Sequence, residues 1–302
     1  MRWSRLAVVV VAFGAACNAL TGVSDLDTSI ASDAGAPCTT CGAPNPPPPP
    51  GQPPPPPSGA DGSVDSGTKP SYCTGISFYA RYDSTTTSAQ GLTPTDSNGA
   101  AVTMTFAPGK FGNAASFVGT PQALYYDSDA GPCVPALGSV AMWLKPTWTW
   151  PTSVQRVFFK PVPTRVVGAG EASGAELENR ATPLLFGLWN TSPDGSGVYA
   201  AEDPNLLAGS WKDLDWNHLA GTWDLAGSRL AFTLNGGSAR FVTQQTWAPQ
   251  LPILWFRIGT ASTGNSIDAL VDDVAIWTRV LSDAEITAIH TSPIAIGDAC
   301  GL

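Results

Sequence analysis

The chain is short of charge, of basic residues and of histidine. Charged side chains make up 13% of its 302 residues, about half the share of an ordinary globular domain. Lys+Arg number 15 against 24 Asp+Glu, a formal net charge of −9. Nucleic acid and anionic membrane surfaces call for a basic patch, so this balance argues against both as partners. Only two histidines occur, His218 and His290, which rules out a site built from several imidazoles. No Phe, Trp or Tyr lies between residues 18 and 71. A segment with so little to bury cannot offset the entropy of ordering.

Proline fills much of that gap. Of 28 prolines, 13 fall between Pro37 and Pro70, including PPPPP at 46–50 and again at 53–57, followed by SGADGSVDSG. Proline runs favour extended polyproline II, about 3.1 Å per residue, and act as semi-rigid spacers. Residues 17–71 are therefore expected to be a disordered stalk. Cys38 and Cys41 (CTTC) lie inside it with no strand before and no helix after, against a thioredoxin-like role. A local disulfide or a pairing with the folded part fits them better.

The N-terminus reads MRWSRLAVVVVAFGAAC. Arg2 and Arg5 precede an apolar run, Leu6–Ala16, that is too short to span a bilayer and fits a signal peptide over 1–16. Gly14, Ala15, Ala16 and Cys17 resemble a bacterial lipobox. The resemblance implies that Cys17 becomes the lipidated first residue and joins the protein to a membrane. It places the chain in the bacterial cell envelope, at the surface or in the periplasm. Cleavage by an ordinary signal peptidase is the alternative, and either route exports the chain. Loss of residues 1–16 removes two positive charges and leaves the rest more acidic.

Residues 72–302 read as one domain of short strands. ISFYARY (76–82), VTMTF (102–106), ASFVG (115–119), SVAMWLK (139–145) and VQRVFFK (154–160) come first. LLFGLW (184–189), GVYAA (197–201), NHLAGTWD (217–224), RLAFTLN (229–235), LWFRIGT (254–260) and ALVDDVAIW (269–277) follow. Turn signals separate them: SNG at 97–99, PGKFG at 108–112, NGG at 235–237 and STGN at 262–265. Short strands at this spacing predict an antiparallel sandwich or barrel. Ser282-Asp-Ala-Glu285 is a capping box ahead of Ile286 and Ile289 and predicts a short C-terminal helix over 283–290.

Five blocks in order carry a family resemblance. They are PGKFGNAASFVG (108–119), SVAMWLKP (139–146), WNHLAGTWD (216–224), RLAFTLNGG (229–237), and RIGT (257–260) with IDALVDDVAIWTRVLSDAEI (267–286). Together they resemble laminin-G-like domains of the concanavalin A-like lectin/glucanase superfamily. The resemblance implies an all-β, two-sheet antiparallel jelly-roll sandwich with a short C-terminal helix. It makes VVGAGEASGAELENR (166–180) look like a loop insertion. It also implies a structural calcium, with Asp272 as a ligand and Asp83, Asp96 and Asn98 as partners; the alternative is that Asp272 accepts backbone amides with no metal. In this fold the first and last strands are neighbours, which implies a Cys73–Cys300 disulfide. Cys133 pairing with one of these two, or with a stalk cysteine, remains open.

The residues themselves add four readings. Strand alternation in ALVDDVAIW places Asp272 with Val274 and Ile276, facing inward, and Asp273 with Ala275 and Trp277. His218 stands without a second histidine nearby and reads as a structural hydrogen-bonding residue. Trp148 and Trp150 project to one side of an extended segment, where they can stack on a sugar or cap the core. The E-x-D-x-x-E carboxylates of the superfamily's glycosidases are absent: Asp213 and Asp215 share strand parity but lack a glutamate, Glu171, Glu176 and Glu178 fall in the presumed loop, and Glu285 is held by the capping box. The expected function is ligand binding, to glycan or extracellular protein, rather than catalysis. An exported glycan-degrading enzyme and an adhesive envelope protein without small ligand are the alternatives.

Overall fold

The computed structural model describes residues 68–119, 122–127, 136–150, 154, 156–162, 175–179, 184–188, 198–202, 210–224, 226–238, 240–243, 255–260 and 267–302. In 175–179, 184–188, 198–202 and 240–243 it describes the backbone. The signal segment, Cys17, the proline stalk, the CTTC pair, Cys133 and Glu171 lie outside the described residues.

Alternating apolar residues make strands that pair into two antiparallel sheets. In chain order the strands are β1 (Ile76–Ala80), β2 (Thr105–Pro108), β3 (Asn113–Ser116), β4 (Ala123–Asp127), β5 (Leu137–Pro146), β6 (Arg156–Val162) and β7 (Ala175–Asn179). Then come β8 (Leu184–Leu188), β9 (Val198–Glu202), β10 (Asn217–Asp224), β11 (Arg229–Leu234), β12 (Arg240–Thr243), β13 (Trp255–Gly259) and β14 (Ala269–Trp277). One sheet runs β12-β11-β10-β5-β14-β3-β2, with β1 also on β14, and the other runs β4-β13-β6-β7-β8-β9. β14 pairs with β5 along one edge and shares its other edge between β3 and β1. The fold is the jelly-roll sandwich that the family blocks implied.

Between the sheets, β5 contributes Val140, Met142 and Leu144, β11 contributes Leu230, Phe232 and Leu234, and β13 contributes Phe256 and Ile258. Phe78 and Tyr126 meet edge to face at 4.8 Å, and Tyr126 stacks on Phe256 at 5.2 Å. Tyr126 donates its hydroxyl proton to the Thr86 carbonyl at 2.6 Å, so it accepts from Tyr82 at 3.1 Å. Burial pushes both phenols well above their usual range.

The eight-stranded sheet is covered on its outer face as well. Ala220, Ala141 and Ala275 sit in register across β10, β5 and β14. Their small side chains leave room for two helices, α1 (Asp283–Thr291) and α2 (Ile296–Cys300), which bury Ile286, Ile289 and Ile296 in a cluster with Tyr79 and Trp277. The capping box forms: Ser282 Oγ accepts the Glu285 amide at 3.3 Å, and Glu285 Oε2 accepts the Ser282 amide at 2.9 Å. Arg279 also donates to Glu285 at 2.7 Å and to the Ser71 and Thr74 carbonyls at 2.8 Å. The guanidinium, then the capping contacts, hold the Glu285 carboxyl down at about 2. Among the described residues no helix is long and apolar enough to cross a membrane.

Several expectations change. β4 reads ALYYD with its first four residues buried on both faces, so it lacks the alternation that would have marked it. β7 occupies part of the presumed loop insertion and pairs with β6 and β8, so Glu176 and Glu178 are strand residues. β12 and α2 were also not anticipated. Asp213 and Asp215 lie in a turn where Leu214 has φ 58°, and strand parity does not apply to them.

Cys73 and Cys300 are bonded, across a sequence separation of 227. Closing so long a loop removes much unfolded-state freedom, by about 5 kcal/mol in the chain-entropy view. Replacing both cysteines with serine should lower the urea midpoint accordingly, with strands and core intact by circular dichroism. An unchanged midpoint would show that the bridge does not stabilise the domain.

Candidate functional site

The site is built on β14, where the strand alternation breaks. Asp272 is opposite Trp143 and Ala275 opposite Ala141, so β14 spends one residue more than β5 in that interval. The extra residue is a β-bulge, and Asp273 takes φ 50° to make it. Ala269 and Val271 before the bulge, and Val274 and Ile276 after it, all face the core between the sheets. Asp272 is therefore turned to the outer face with Trp143, and does not share a face with Val274. Simple alternation failed here because it assumes a period of two throughout.

Both aspartates are buried and bind backbone. Asp272 Oδ2 accepts the amides of Lys110 at 2.8 Å and Phe111 at 2.9 Å. This explains the PGKFG turn: a Cβ on Gly109 would meet Asn113 backbone and Asp272 Oδ2, and Gly112 holds φ +76° against Asp83. Asp273 accepts the Tyr79 hydroxyl at 2.7 Å and the Ile296 amide at 3.2 Å, tying α2 to the sheet. Burial pushes the Asp272 carboxyl up to about 7 and the Asp273 carboxyl up to about 6.

Asp272 Oδ1 is buried without a hydrogen-bond partner. That orphan oxygen is the one feature that fits a calcium ligand. Asp83 instead accepts the Asn113 amide at 2.8 Å and pairs with Arg81 at 2.7 Å. Asp96 folds back on its own turn, accepting the Asn98 and Ala100 amides at 2.8 Å. Among the described residues no three His, Cys, Asp or Glu side chains gather as a metal set. The three aspartates do not form one.

Beside Asp272, across β5 and β10, the two histidines meet. His218 pairs in register with Trp143. The rings of Trp143, His218 and His290 lie 5.0, 5.4 and 5.6 Å apart. His218 is 1% exposed, and neither of its ring nitrogens has a hydrogen-bond partner. Its backbone amide donates to Asn235 Oδ1 at 2.7 Å, so any bonding role belongs to the backbone and not to the imidazole. Burial, then the charges of His290 and Lys110, push the His218 ring down to about 3. Residues 72 apart in sequence make this pair, and no local signal announces it. Lys110 completes the group, with Nζ 4.3 Å from the Trp143 ring centre.

Trp148 and Trp150 lie elsewhere, with Trp211. Trp148 stacks on Trp211 at 5.3 Å and donates its indole N–H to the Ile267 carbonyl at 3.0 Å. Trp150 lies 6.0 Å from Trp211, and its amide donates to Asp213 Oδ1 at 2.8 Å. Both are half-buried and packed against the inter-sheet core. Asp213, set aside by the sequence reading, thus positions one of them.

This architecture defines a lectin-type jelly roll. Residues 111–287 match the laminin-G-like family described as the concanavalin A-like lectin/glucanases superfamily, and the chain belongs to it. No curated protein sequence matches the chain. Among solved structures it resembles the receptor binding domain of botulinum neurotoxin D, with TM-score 0.54 and 12% identity over 73% of this chain and 53% of that one. It also resembles domain 4 of AbnA, a GH43 extracellular arabinanase from Geobacillus stearothermophilus, in complex with arabinotriose. That likeness has TM-score 0.52 and 16% identity, over 72% of this chain and 98% of that one. A third likeness is to the neurotoxin D ligand binding domain in complex with N-acetylneuraminic acid, with TM-score 0.52 and 11% identity over 70% and 50% of the two chains. The chain thus spans about half of each neurotoxin structure.

The buried acid and the buried histidine act oppositely on stability. Asp272 holds its proton more tightly folded than unfolded, so its contribution falls as pH rises from about 4 to about 7. His218 is the reverse, and its contribution is lost as pH falls from about 6.5 to about 3. Asp272→Asn keeps an oxygen for the two amides and removes the buried charge. Its melting temperature should gain on the unaltered chain progressively between pH 4 and 7, then level off. Neither protein should respond to calcium or chelator; a calcium-dependent rise lost in Asp272→Asn would restore the metal reading.

Proposed function

We propose that this chain is an exported, lipid-anchored binding module whose jelly roll recognises a saccharide through the tryptophan cluster at the end of the sandwich. The observation that carries the reading is the trio Trp148, Trp150 and Trp211. Trp211 and the core fix the two outer rings while leaving both half-exposed. Aromatic faces held in this way can stack on the C–H face of a sugar ring, and Asp213 fixes the backbone of Trp150. Structures of similar fold were determined with arabinotriose and with N-acetylneuraminic acid, which supports a sugar as the ligand class. The lipobox-like Cys17 and the stalk supply the proposed anchor and spacer, and an extracellular protein is the alternative ligand.

A glycan array on the purified chain, run beside a protein pull-down, tests this. A defined glycan signal should appear, and Trp150→Ala should weaken binding about tenfold, or about 1.4 kcal/mol, with the fold intact by circular dichroism at the assay temperature. Capture of a protein without any glycan signal would favour the adhesive reading. Turnover of a polysaccharide, abolished by one carboxylate change, would make the chain an enzyme. Fatty-acid labelling of the expressed chain should disappear in Cys17→Ser.

A further inference from the structure

The group on the outer face of the eight-stranded sheet is not absorbed by that function. Lys110, from the turn between β2 and β3, lies over one indole, and His290 of α1 stacks on the same Trp143 at 5.4 Å. Lys212 stands on the segment before β10. Its amide donates to Asn217 Oδ1 at 2.9 Å, Asn217 Nδ2 donates back to its carbonyl at 2.8 Å, and Asn235 bridges this network to Ser210. The Asn235-Gly236 turn between β11 and β12, with φ 50° and 67°, closes the remaining side: a Cβ on Gly236 would meet the His290 ring. Lys110 and Lys212 are exposed and His290 is half-buried.

Two features set this place apart on an acidic chain. Cations gather at it: Lys110 Nζ lies 4.3 Å from the Trp143 ring centre, and after burial the charges that push the His290 ring down are those of Lys212 and Lys110. Unpartnered ring nitrogens also gather here: Trp143 Nε1, both ring nitrogens of His218 and His290 Nδ1 are buried without partners, and the neutral His218 ring carries one N–H and one acceptor nitrogen. Two carboxylates share this face: Asp272 has Oδ2 committed to the Lys110 and Phe111 amides and Oδ1 unpartnered, and Asp273 is held by the Tyr79 hydroxyl and the Ile296 amide.

We propose that Lys110, Lys212 and His290 form an anion-binding site over Trp143, taking the sulfate or carboxylate of an acidic saccharide. Two ammonium groups hold the oxyanion, and the imidazole adds an N–H. Trp143 and His218 form the floor that fixes His290. Binding strengthens as pH falls, because His290 gains its proton there and the bound anion favours that charge. The groups facing His290 are Trp143 of β5, His218 of β10, Lys212 before β10, Lys110 of the β2–β3 turn and Gly236 of the β11–β12 turn.

This site does not depend on the tryptophan-cluster reading, and one set of titrations separates them. The full chain is titrated calorimetrically with inorganic sulfate, a sulfated disaccharide, digalacturonate and an uncharged disaccharide, with the histidine ring resonances followed in parallel. The charged saccharides should shift the His290 resonance and raise its pKa, and bind more tightly at pH 5.5 than at pH 8. Lys110→Ala with Lys212→Ala should weaken them about tenfold and abolish their shift of the His290 resonance. Preference for the sulfated probe or for digalacturonate identifies the oxyanion, and a response to inorganic sulfate shows that the anion suffices. If no charged probe moves His290, if the uncharged disaccharide moves it as far, or if the double lysine variant binds the charged probes normally, the proposal fails. Loss of neutral-glycan binding in Trp150→Ala bears on the other site alone.

Discussion

The outer half of this domain depends on one extra residue in β14. With unbroken alternation, Asp272 would point between the sheets with Val274, among the aliphatic and aromatic side chains packed there. The bulge at Asp273 turns both acids outward and keeps Ala269, Val271, Val274 and Ile276 all in the core. The cost is a non-glycine residue at φ 50° and two buried carboxylates. Backbone amides offset much of it. Lys110 and Phe111 come to Asp272, and Ile296 comes to Asp273 with the Tyr79 hydroxyl. The acids therefore place a turn and a helix on the same sheet face, and two separate chain segments are fixed by neighbouring residues.

The second fixed point on that face is the corner where the domain's ends meet. The disulfide, the Arg279 fan of donors and the Trp277 N–H to the Tyr72 carbonyl at 2.6 Å all join the start of the domain to its last strand and helices. These contacts bridge more than 200 residues of sequence. They turn the outer face into a second packed layer, for which the in-register alanines of β10, β5 and β14 leave the space.

Most of the sandwich was legible because it rests on local periodicity. β10 and β14 occupy the very residues of the alternating runs NHLAGTWD and ALVDDVAIW, and the capping box placed α1 to within a residue. What escaped had a non-local cause. β4 is buried on both faces, and β7 sits in a Gly/Ala-rich setting that hid its Ala-Glu-Leu-Glu-Asn alternation. The bulge did have a signal: two adjacent aspartates in an otherwise apolar strand cannot both be accommodated by strict alternation. The His218–His290 contact had none. It exists because β10 lies beside β5 and α1 folds back over both, which is known only once the topology is known.

That contact also revises what net charge can exclude. A chain at −9 repels extended polyanions, and the argument against nucleic acid rests on that long-range field. A single oxyanion samples a smaller region, because free charges are screened beyond about 8 Å at physiological salt. At His290 the charges that push the ring down, after burial, are those of Lys212 and Lys110. An acidic protein can thus carry a cationic spot that its composition conceals. Here the spot lies over buried aromatic rings, and the two lysines are held by their backbones, Lys110 through its amide to Asp272 and Lys212 through its amide and carbonyl to Asn217.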